Sequence, residues 1–360
     1  MKRLVVCCDG TWNTPDQKDR GVQCPTNVVR FARWILPQGA DGTVQKAYYD
    51  PGVGTGDFID RLFGGAFGIG LSHNSREAYE FLSLHYEAGD EVYFLGFSRG
   101  AYTVRRTGGM LRKCGLIPAI ADAKARDAAV KEVHALYERR ESRAEGGADS
   151  KAALAFRAKH GAQRIPIRFL GVWDTVGSHG IAGVVGQLTS SMSRARFHDR
   201  ILSSDVQHAC HAVAIDECRR LFQPTLFQRS RTGAERGHLL EQTWFAGVHS
   251  NVGGGYQDTG LSDIALHWMA ARAESCGLAL DPRWRARVAP DEFGELRNSR
   301  TGLYKLLGRS ARTLGAQKAG FERVHVSPVT RAERDPAKYA PANLKDYLGS
   351  AGRAIDVSEP

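Results

Sequence analysis

A serine flanked by glycines lies where a hydrophobic run of the sequence meets a helical segment. Ser98 is the centre of a G-x-S-x-G pattern that Gly96 and Gly100 complete. Residues 91–97 predict a buried strand and residues 99–114 a helix, the strand–turn–helix setting of a nucleophile elbow. The glycines let strand and helix approach closely, and the helix N-terminus favours negative charge at the serine. The pattern predicts a nucleophilic Ser98; the alternative is an ordinary glycine-rich turn.

A carboxylate and an imidazole suited to activate that serine follow it in the chain. In α/β-hydrolases the order is serine, acid, histidine, and the partners follow strands. Asp174 comes directly after the predicted strand 166–173, and His249 directly after the predicted strand 243–248. Asp174 would orient the imidazole, and His249 would act first as general base and then as general acid. The alternative for Asp174 is a loop carboxylate that caps the next turn.

The other histidines lie in segments that suit a catalytic base less well. A base in this chemistry is expected after a strand, on a loop that can present the imidazole to the serine. His179 follows Asp174 too closely to be the third member. The remaining rivals lie in predicted helices or in a polar run: His85, His208, His211, His238 and His267.

The oxyanion hole of such an enzyme requires preorganised backbone N–H donors. One donor is expected from Arg99, the residue after the nucleophile. The loop after the first predicted strand would supply the second, from Gly10 or Thr11. Asp9 would brace that loop by accepting hydrogen bonds. A purely structural Asx-type turn explains the same residues and is the alternative.

Strands and helices alternate along the chain, which predicts an α/β fold with a mostly parallel central sheet covered by helices on both faces. This is an α/β-hydrolase-like architecture. The predicted strands are 4–8, 43–49, 91–97, 166–173 and 243–248. The predicted helices are one that follows Thr26 and ends by Pro37, and 74–86, 99–114, 121–143, 205–215 and 261–273.

The predicted elements divide the chain into a catalytic domain and an extension. Residues 1–280 form the catalytic domain, and segments of about 115–164 and 178–240 are predicted insertions that would form a cap or lid. Residues 281–360 are a C-terminal extension packed on or near the catalytic domain. Arg, Gly and Pro become frequent there, so loops and short helices are expected beyond Pro282.

No cofactor or metal ion is expected. Gly52, Gly54 and Gly56 lie in a glycine-rich loop over 50–70, but a dinucleotide fingerprint needs a third glycine at another spacing. A metal-dependent phosphoesterase that uses Asp9 would need clustered histidines and carboxylates, and the sequence has no D-x-H or H-x-H pattern. That activity is one alternative. A catalytically silent binding protein with the same fold is another.

The chain carries a net charge of +10, from 49 Lys and Arg against 39 Asp and Glu. The basic residues are spread along the sequence, and no nucleic-acid-binding module is recognisable, so a nucleic-acid partner is not expected. A basic surface also attracts acidic substrates and anionic lipid headgroups. The charge is therefore compatible with peripheral contact with an anionic membrane. It gives no indication of the oligomeric state.

The seven cysteines are an odd number and include no C-x-x-C pair, which argues against a disulfide scaffold and a zinc ribbon. The apolar run at the N-terminus is too short for a signal peptide, since Asp9 ends it. No run of 18 apolar residues predicts a membrane-spanning helix. A cytoplasmic location is expected, and export without a cleaved signal stays open.

Six motifs in order resemble one family. They are residues 9–13, 26–28, 49–54, 89–102, 173–177 and 245–256. Over roughly residues 1–275 the chain resembles an α/β-hydrolase domain, formerly of unknown function, that forms the catalytic part of type VI secretion phospholipase effectors. The resemblance implies that Ser98, Asp174 and His249 are the catalytic residues and that no metal is required. It also implies ester hydrolysis, with the acyl chains of phospholipids as a candidate substrate.

Overall fold

Parallel strands form the centre of the molecule. In the computed structural model the described residues are 1–10, 13, 15–52, 66–139, 147–176, 201–229, 231–317, 321–350 and 353–358. Eight strands form one sheet in the order β10-β9-β8-β7-β6-β5-β1-β4, with every neighbouring pair parallel, while β2 and β3 form a separate antiparallel pair. The strands are β1 (Lys2–Cys8), β2 (Lys18–Asp19), β3 (Val22–Gln23), β4 (Val44–Asp50), β5 (Glu91–Phe97), β6 (Ile167–Trp173), β7 (Val206–Ala214), β8 (Leu239–Phe245), β9 (Glu322–His325) and β10 (Ile355–Asp356).

Helices cover both faces of this sheet. The α-helices are α1 (Asn27–Ala32), α2 (Ala66–His85), α3 (Ser98–Cys114), α4 (Ala123–Glu138), α5 (Lys151–His160), α6 (Arg231–Glu235), α7 (His249–Gly253), α8 (Gly260–Ser275), α9 (Val326–Arg334) and α10 (Ala342–Gly349). Leu4 and Val6 of β1 pack on one face with apolar side chains of α2, α3, α4 and α5. Val5 and Cys7 point to the other face, where α1, α8 and α10 pack. The fold is α/β-hydrolase-like, and the predicted fold class is confirmed.

The strand order explains where a site can form. From β1 the chain passes to β4 on one side of β1 and then to β5 on the other side. The loops that follow β1 and β5 therefore diverge at the carboxyl edge of the sheet, where open α/β sheets form their crevices. Ser98 directly follows β5, and Asp9 directly follows β1. Both residues consequently belong to the same edge.

One predicted element is wrong. Residues 205–215 were expected to be helical, but β7 occupies Val206–Ala214 and pairs with β6 and β8. The segment therefore carries His208 and His211 on a strand. The predicted insertion of about 178–240 is wrong for the same reason, since it contains this strand; residues 177–200 lie outside the described part of the chain. A strand buried on both faces shows no apolar–polar alternation, which makes it hard to distinguish from a helix.

A further difference concerns where one helix begins. The helix predicted over 74–86 is α2, and it begins at Ala66, inside the glycine-rich segment 50–70. Residues 53–65 of that segment, including Gly54 and Gly56, lie outside the described residues.

Two expectations about the kind of protein concern membrane spans and cysteines. Among the described residues, none of the helices combines the length and the apolar character that a membrane span requires. All seven cysteines are reduced, and six of them are buried.

The C-terminal extension contributes to the sheet itself. Loops and short helices were expected beyond Pro282, yet the extension also supplies β9, which pairs with β8, and β10, which pairs with β9. Trp244 of β8 donates its indole N–H to the Glu322 carboxylate of β9 over 2.9 Å. The C-terminal extension thus continues the central sheet through β9 and β10. The prediction had it packed on or near the catalytic domain.

Candidate active site

Ser98 lies at the turn between β5 and α3 in a left-handed backbone conformation, with φ of +55°. Such a φ is uncommon for a residue with a side chain and is a feature of strained functional turns. The turn is tight because Gly100 allows contact with the neighbouring strand. A Cβ atom on Gly100 would lie only 2.0 Å from the carbonyl oxygen of Cys8. The absence of that atom brings the N-terminus of α3 against β1.

Asp174 directly follows β6, also with a positive φ, of +37°, and its side chain is completely buried. Its Oδ1 accepts a hydrogen bond from the Ala214 backbone N–H over 3.0 Å. The next residue, Thr175, donates its backbone N–H to Nε2 of His211 over 3.0 Å. Burial lowers the pKa of His211 to about 3, so its imidazole is neutral and accepts this bond. His211 therefore fixes the turn that carries Asp174.

His249 is the first residue of α7, and one of its ring nitrogens faces Ser98 while the other faces Asp174. Its Nε2 lies 2.8 Å from Ser98 Oγ, and its Nδ1 lies 2.5 Å from Asp174 Oδ2. Because a carboxylate only accepts, Nδ1 carries the proton and Nε2 is left to accept from the serine hydroxyl. Phe97 and Phe222 contact the imidazole, with ring centroids 4.6 and 5.1 Å away. The structure thus brings the three predicted residues into one hydrogen-bonded chain.

Glu217 holds the backbone of His249. Its carboxylate accepts from the His249 backbone N–H over 3.2 Å and from the Ser299 hydroxyl over 3.0 Å. Arg219 pairs with the same carboxylate over 2.8 Å. Sequence inspection did not single out Glu217, because the segment that carries it has no motif and only the fold brings it to α7.

Arg312 is a further residue that the sequence did not indicate. It comes from the C-terminal extension and forms an ion pair with Asp174 in which both side chains are inaccessible to solvent. Nη1 lies 2.6 Å from Oδ1, and Nη2 lies 3.0 Å from Oδ2. Arginine is common between residues 309 and 338, and nothing local distinguishes this position.

These contacts shift the ionisation of the site in opposite directions. Burial alone would raise the pKa of Asp174, but Arg312 and His249 outweigh burial and hold it well below its usual range. Burial lowers the pKa of His249, against the opposing effect of Asp174. At neutral pH the acid is therefore ionised and the imidazole neutral, as a general base requires.

The loop after β1 lies beside the serine and is braced by Asp9. The carboxylate accepts from the Gly10 N–H over 2.7 Å, the Thr26 hydroxyl over 2.5 Å and the Tyr49 hydroxyl over 3.2 Å. Burial raises the pKa of Asp9 to about 7, although these donors favour the ionised form. A Cβ atom on Gly10 would lie 3.1 Å from Ser98 Cβ.

Of the two oxyanion donors predicted in this loop, one is already hydrogen-bonded and the other is not described. The Gly10 N–H is engaged by Asp9, and Thr11 lies outside the described residues. Arg99 is the second residue of α3, where a backbone N–H cannot reach a carbonyl of the same helix. Partial burial of its guanidinium lowers the pKa of Arg99 to about 10.

Of the remaining histidines, His208 faces a possible cation site away from Ser98. Its Nε2, Cys210 Sγ and an oxygen of Glu241 lie within 4.8 Å of one another, near the amino ends of β7 and β8. The three groups already contact one another, and Arg272 pairs with Glu241 over 2.9 Å. The guanidinium opposes a further cation there.

Within the described part of the chain it is His249 that contacts Ser98, and the other histidines considered as a base lie elsewhere. His179 lies outside the described residues, His85 and His267 lie in α2 and α8, and His238 directly precedes β8.

Comparisons with known proteins find a similar sequence and similar solved structures. The chain is 28% identical over 249 residues to an uncharacterized protein, YEL023C, of Saccharomyces cerevisiae, covering 63% of this chain and 33% of that protein. A crystal structure of an uncharacterized protein from Pseudomonas aeruginosa aligns over 81% of this chain and 49% of its own, at 20% identity and a TM-score of 0.47. A structure of the Tle1 effector bound to the VgrG spike of the type 6 secretion system aligns over 72% and 52%, at 16% identity and a TM-score of 0.34.

The chain thus spans a third of the yeast protein and about half of each solved chain. A family model gives the firmest relationship, because it matches residues 2–272, well over half of the sequence. The matched range includes Ser98, Asp174 and His249 and ends before Arg312. The chain belongs to the family described as T6SS, phospholipase effector Tle1-like, catalytic domain.

Proposed function

We propose that the protein is a serine hydrolase that cleaves carboxylic esters through an acyl-enzyme, with phospholipids as the substrate class. One observation carries the proposal: Ser98 Oγ, both His249 ring nitrogens and the Asp174 carboxylate form a continuous chain of 2.8 and 2.5 Å hydrogen bonds. Nucleophile, base and orienting acid have these mutual positions in serine hydrolases of unrelated folds. Family membership supports the reaction class.

In the proposed mechanism His249 takes the Ser98 proton on Nε2 as Oγ attacks the ester carbonyl carbon. The imidazolium formed keeps its Nδ1–H on Asp174, whose charge stabilises it. The tetrahedral intermediate then collapses, and the alcohol leaves with the proton from Nε2. Water then gives a proton to Nε2 as its oxygen attacks the acyl carbonyl carbon, and collapse of this second intermediate releases the acid and returns the proton to Ser98 Oγ. The chain's own groups therefore account for every proton.

The developing oxyanion needs donors at the mouth of the elbow. We propose the backbone N–H of Arg99, at the positive end of α3, as the first donor. The Gly10 N–H already donates to Asp9, so of the two residues predicted in this loop Thr11 is proposed as the second. Asp9 has the role of holding the loop against Ser98.

A fluorophosphonate probe tests the serine mechanism directly. We expect covalent labelling of the wild type, and none of Ser98→Ala or His249→Ala. Ser327→Ala is a matched control, since Ser327 is also buried but lies in the first turn of α9, in the extension. Absence of wild-type labelling, or equal labelling of Ser98→Ala, would overturn the proposal. Full activity in EDTA distinguishes this mechanism from a metal-dependent phosphoesterase.

The substrate class requires a separate test. A panel of p-nitrophenyl esters of rising chain length measures the acyl preference, and vesicles of phosphatidylglycerol or phosphatidylcholine measure fatty-acid release. Because the net charge is +10, release from the anionic vesicles should be faster and should decline as salt is added. Hydrolysis of short esters alone would remove phospholipids from the proposal and leave the esterase mechanism intact. A labelled protein that hydrolyses neither would favour the catalytically silent alternative.

A further inference from the structure

We infer that Arg312, supplied by the C-terminal extension beyond the family match, is a positioning residue of the proposed active site. It fixes the orientation of Asp174 and thereby sets the basicity of His249. The inference rests on the proposed function, which it deepens. Its starting observation is the ion pair between Arg312 and Asp174, in which neither side chain is exposed to solvent.

The contacts of the pair leave little freedom to the carboxylate. Each carboxylate oxygen accepts one arm of the guanidinium, over 2.6 and 3.0 Å. The remaining acceptor positions are taken by the Ala214 N–H on Oδ1 and by His249 Nδ1 on Oδ2. A planar guanidinium that bonds both oxygens fixes the plane of the carboxylate as well as its position. The direction of Oδ2 toward the imidazole is thus determined by Arg312.

The guanidinium is itself held in place by the backbone. Its nitrogens also donate to the carbonyl oxygens of Ala214, at the end of β7, and of Phe222. Asn343 of α10 donates to the Arg312 carbonyl oxygen over 3.1 Å. Phe222 contacts the His249 ring as well. The arginine therefore connects the acid, the loop beside the base and the extension.

The electrostatic consequence concerns His249. A lone buried carboxylate would strongly stabilise the imidazolium, whereas a carboxylate already paired with a permanent cation stabilises it less. Asp174 and Arg312 together carry no net charge, and neither does the pair of Glu217 and Arg219 beside the same ring, so the imidazole stays neutral until lower pH. Removing the arginine should make the Asp174–His249 pair take up a proton at higher pH, as a coupled pair.

The decisive measurement is the pH dependence of kcat/KM on a soluble ester. In Arg312→Met the acid limb should move up by about one pH unit or more, and kcat should fall at least about tenfold with little change in KM. Arg323→Met is the matched control, because it removes the same charge from an exposed position on β9. It should keep the wild-type limb and rate. If the acid limb of Arg312→Met stays at its wild-type pH, the inference is overturned, whatever the value of kcat. A merely structural role would lower kcat without moving the limb.

Arg312→Lys keeps the test open if the methionine variant does not fold. Lysine retains the cation but cannot bond both carboxylate oxygens, so we expect a limb near that of the wild type and a kcat lowered by about tenfold. In an Asp174→Asn background the same lysine substitution should cause no further loss, because its target carboxylate is gone. Equal losses in both backgrounds would show that Arg312 does not act through Asp174 and would overturn the inference.

Failure of the proposed function gives a different result. If the wild type is neither labelled by the fluorophosphonate nor active on esters, the serine mechanism itself is wrong. If the wild type is labelled and active while the Arg312 variants keep its limb and rate, only the role of Arg312 is wrong. Far-ultraviolet circular dichroism of each variant confirms that the comparison is made between folded proteins.

Discussion

Ser98 and Asp174 share an unusual backbone state, since both have positive φ angles at the carboxyl ends of neighbouring strands. For residues with side chains, such conformations cost on the order of 1–3 kcal/mol each and persist only where surrounding contacts impose them. At Ser98 the packing of α3 on β1 imposes it. At Asp174 the constraint comes from the bonds of Thr175, Ala214 and Arg312. The strain is thus located at the two residues proposed to need fixed side-chain directions.

The pH profile of the wild type follows from the state of His249. Burial lowers the pKa of its imidazole below the ordinary histidine value of 6.5. A general base must be neutral, so the rate falls as pH falls through that pKa. We expect the midpoint of the acid limb of kcat/KM for a soluble ester to lie below pH 6.5. An acid limb above neutral pH would contradict this assignment.

The Asp174 carboxylate is expected to matter through the tautomer of His249. Asp174→Asn should lower kcat by roughly 10⁴-fold, because an amide favours the wrong imidazole tautomer.

Asp9 makes the stability of the protein depend on pH. Its pKa rises from 3.8 to about 7 on folding, so the folded state binds the proton more tightly than the unfolded state. The associated stability is fully present below pH 3.8 and is lost as pH rises through about 7. Between pH 5 and pH 8 this loss is roughly 3 kcal/mol.

Asp9→Asn removes that titrating group while keeping the side-chain shape. We expect the free energy of unfolding in urea to fall less between pH 5 and pH 8 in the variant than in the wild type, by roughly 3 kcal/mol. Asp346→Asn is the control, because Asp346 is exposed. The same pH dependence in Asp9→Asn as in the wild type would show that Asp9 is not the group responsible.

At the scale of elements, the contact between α3 and β1 determines the geometry of the elbow. Gly100→Ala would place a Cβ atom 2.0 Å from the Cys8 carbonyl oxygen, a backbone atom that cannot move aside cheaply. We expect a loss of about 3 kcal/mol in the free energy of unfolding and slower fluorophosphonate labelling of Ser98. Urea unfolding and the labelling rate measure the two effects.

Gly108→Ala in the same helix is the matched control. Its added Cβ would meet only Ile167 Cδ1, at an ordinary 3.5 Å. Alanine is also the better helix former, so we expect a gain of about 0.5 kcal/mol and unchanged labelling. Equal destabilisation by both alanines would mean that helix propensity, and not the contact with β1, limits position 100.

Sequence patterns predicted some elements well and others poorly, for identifiable reasons. The strand Glu91–Phe97 was predicted with both ends correct, because a charged residue begins it and the elbow ends it. Asp174 and His249 were found because each follows a strand closely. β7 was mistaken for a helix, since Val206–Ala214 contains several alanines and histidines and is buried on both faces. Arg312 and Glu217 were not found, because their contacts depend on residues 138 and 32 positions away.

At the scale of the whole molecule, the sheet extends beyond the part that matches the family. The match ends at residue 272, whereas β9 and β10 belong to residues 322–325 and 355–356. A buried acid ties this added edge to the core. Asp356 Oδ2 accepts from the indole N–H of Trp268 over 2.9 Å, from Arg272 over 3.1 Å and from the Thr243 hydroxyl over 3.2 Å. Arg312 forms the second connection, at the active site.

These two connections predict that the extension and the catalytic part unfold together. Asp356→Ala would leave the buried Trp268 indole N–H without its acceptor and would remove one of the two carboxylates that bind Arg272, and it should lower the free energy of unfolding by about 3 kcal/mol. Asp346→Ala, an exposed change in the same extension, should stay within about 0.5 kcal/mol of the wild type. In urea, tryptophan fluorescence and fluorophosphonate labelling should be lost at one midpoint in the wild type and at one lower midpoint in Asp356→Ala. Separate midpoints would mean that the edge strands melt before the site, and that Arg312 alone does not couple them.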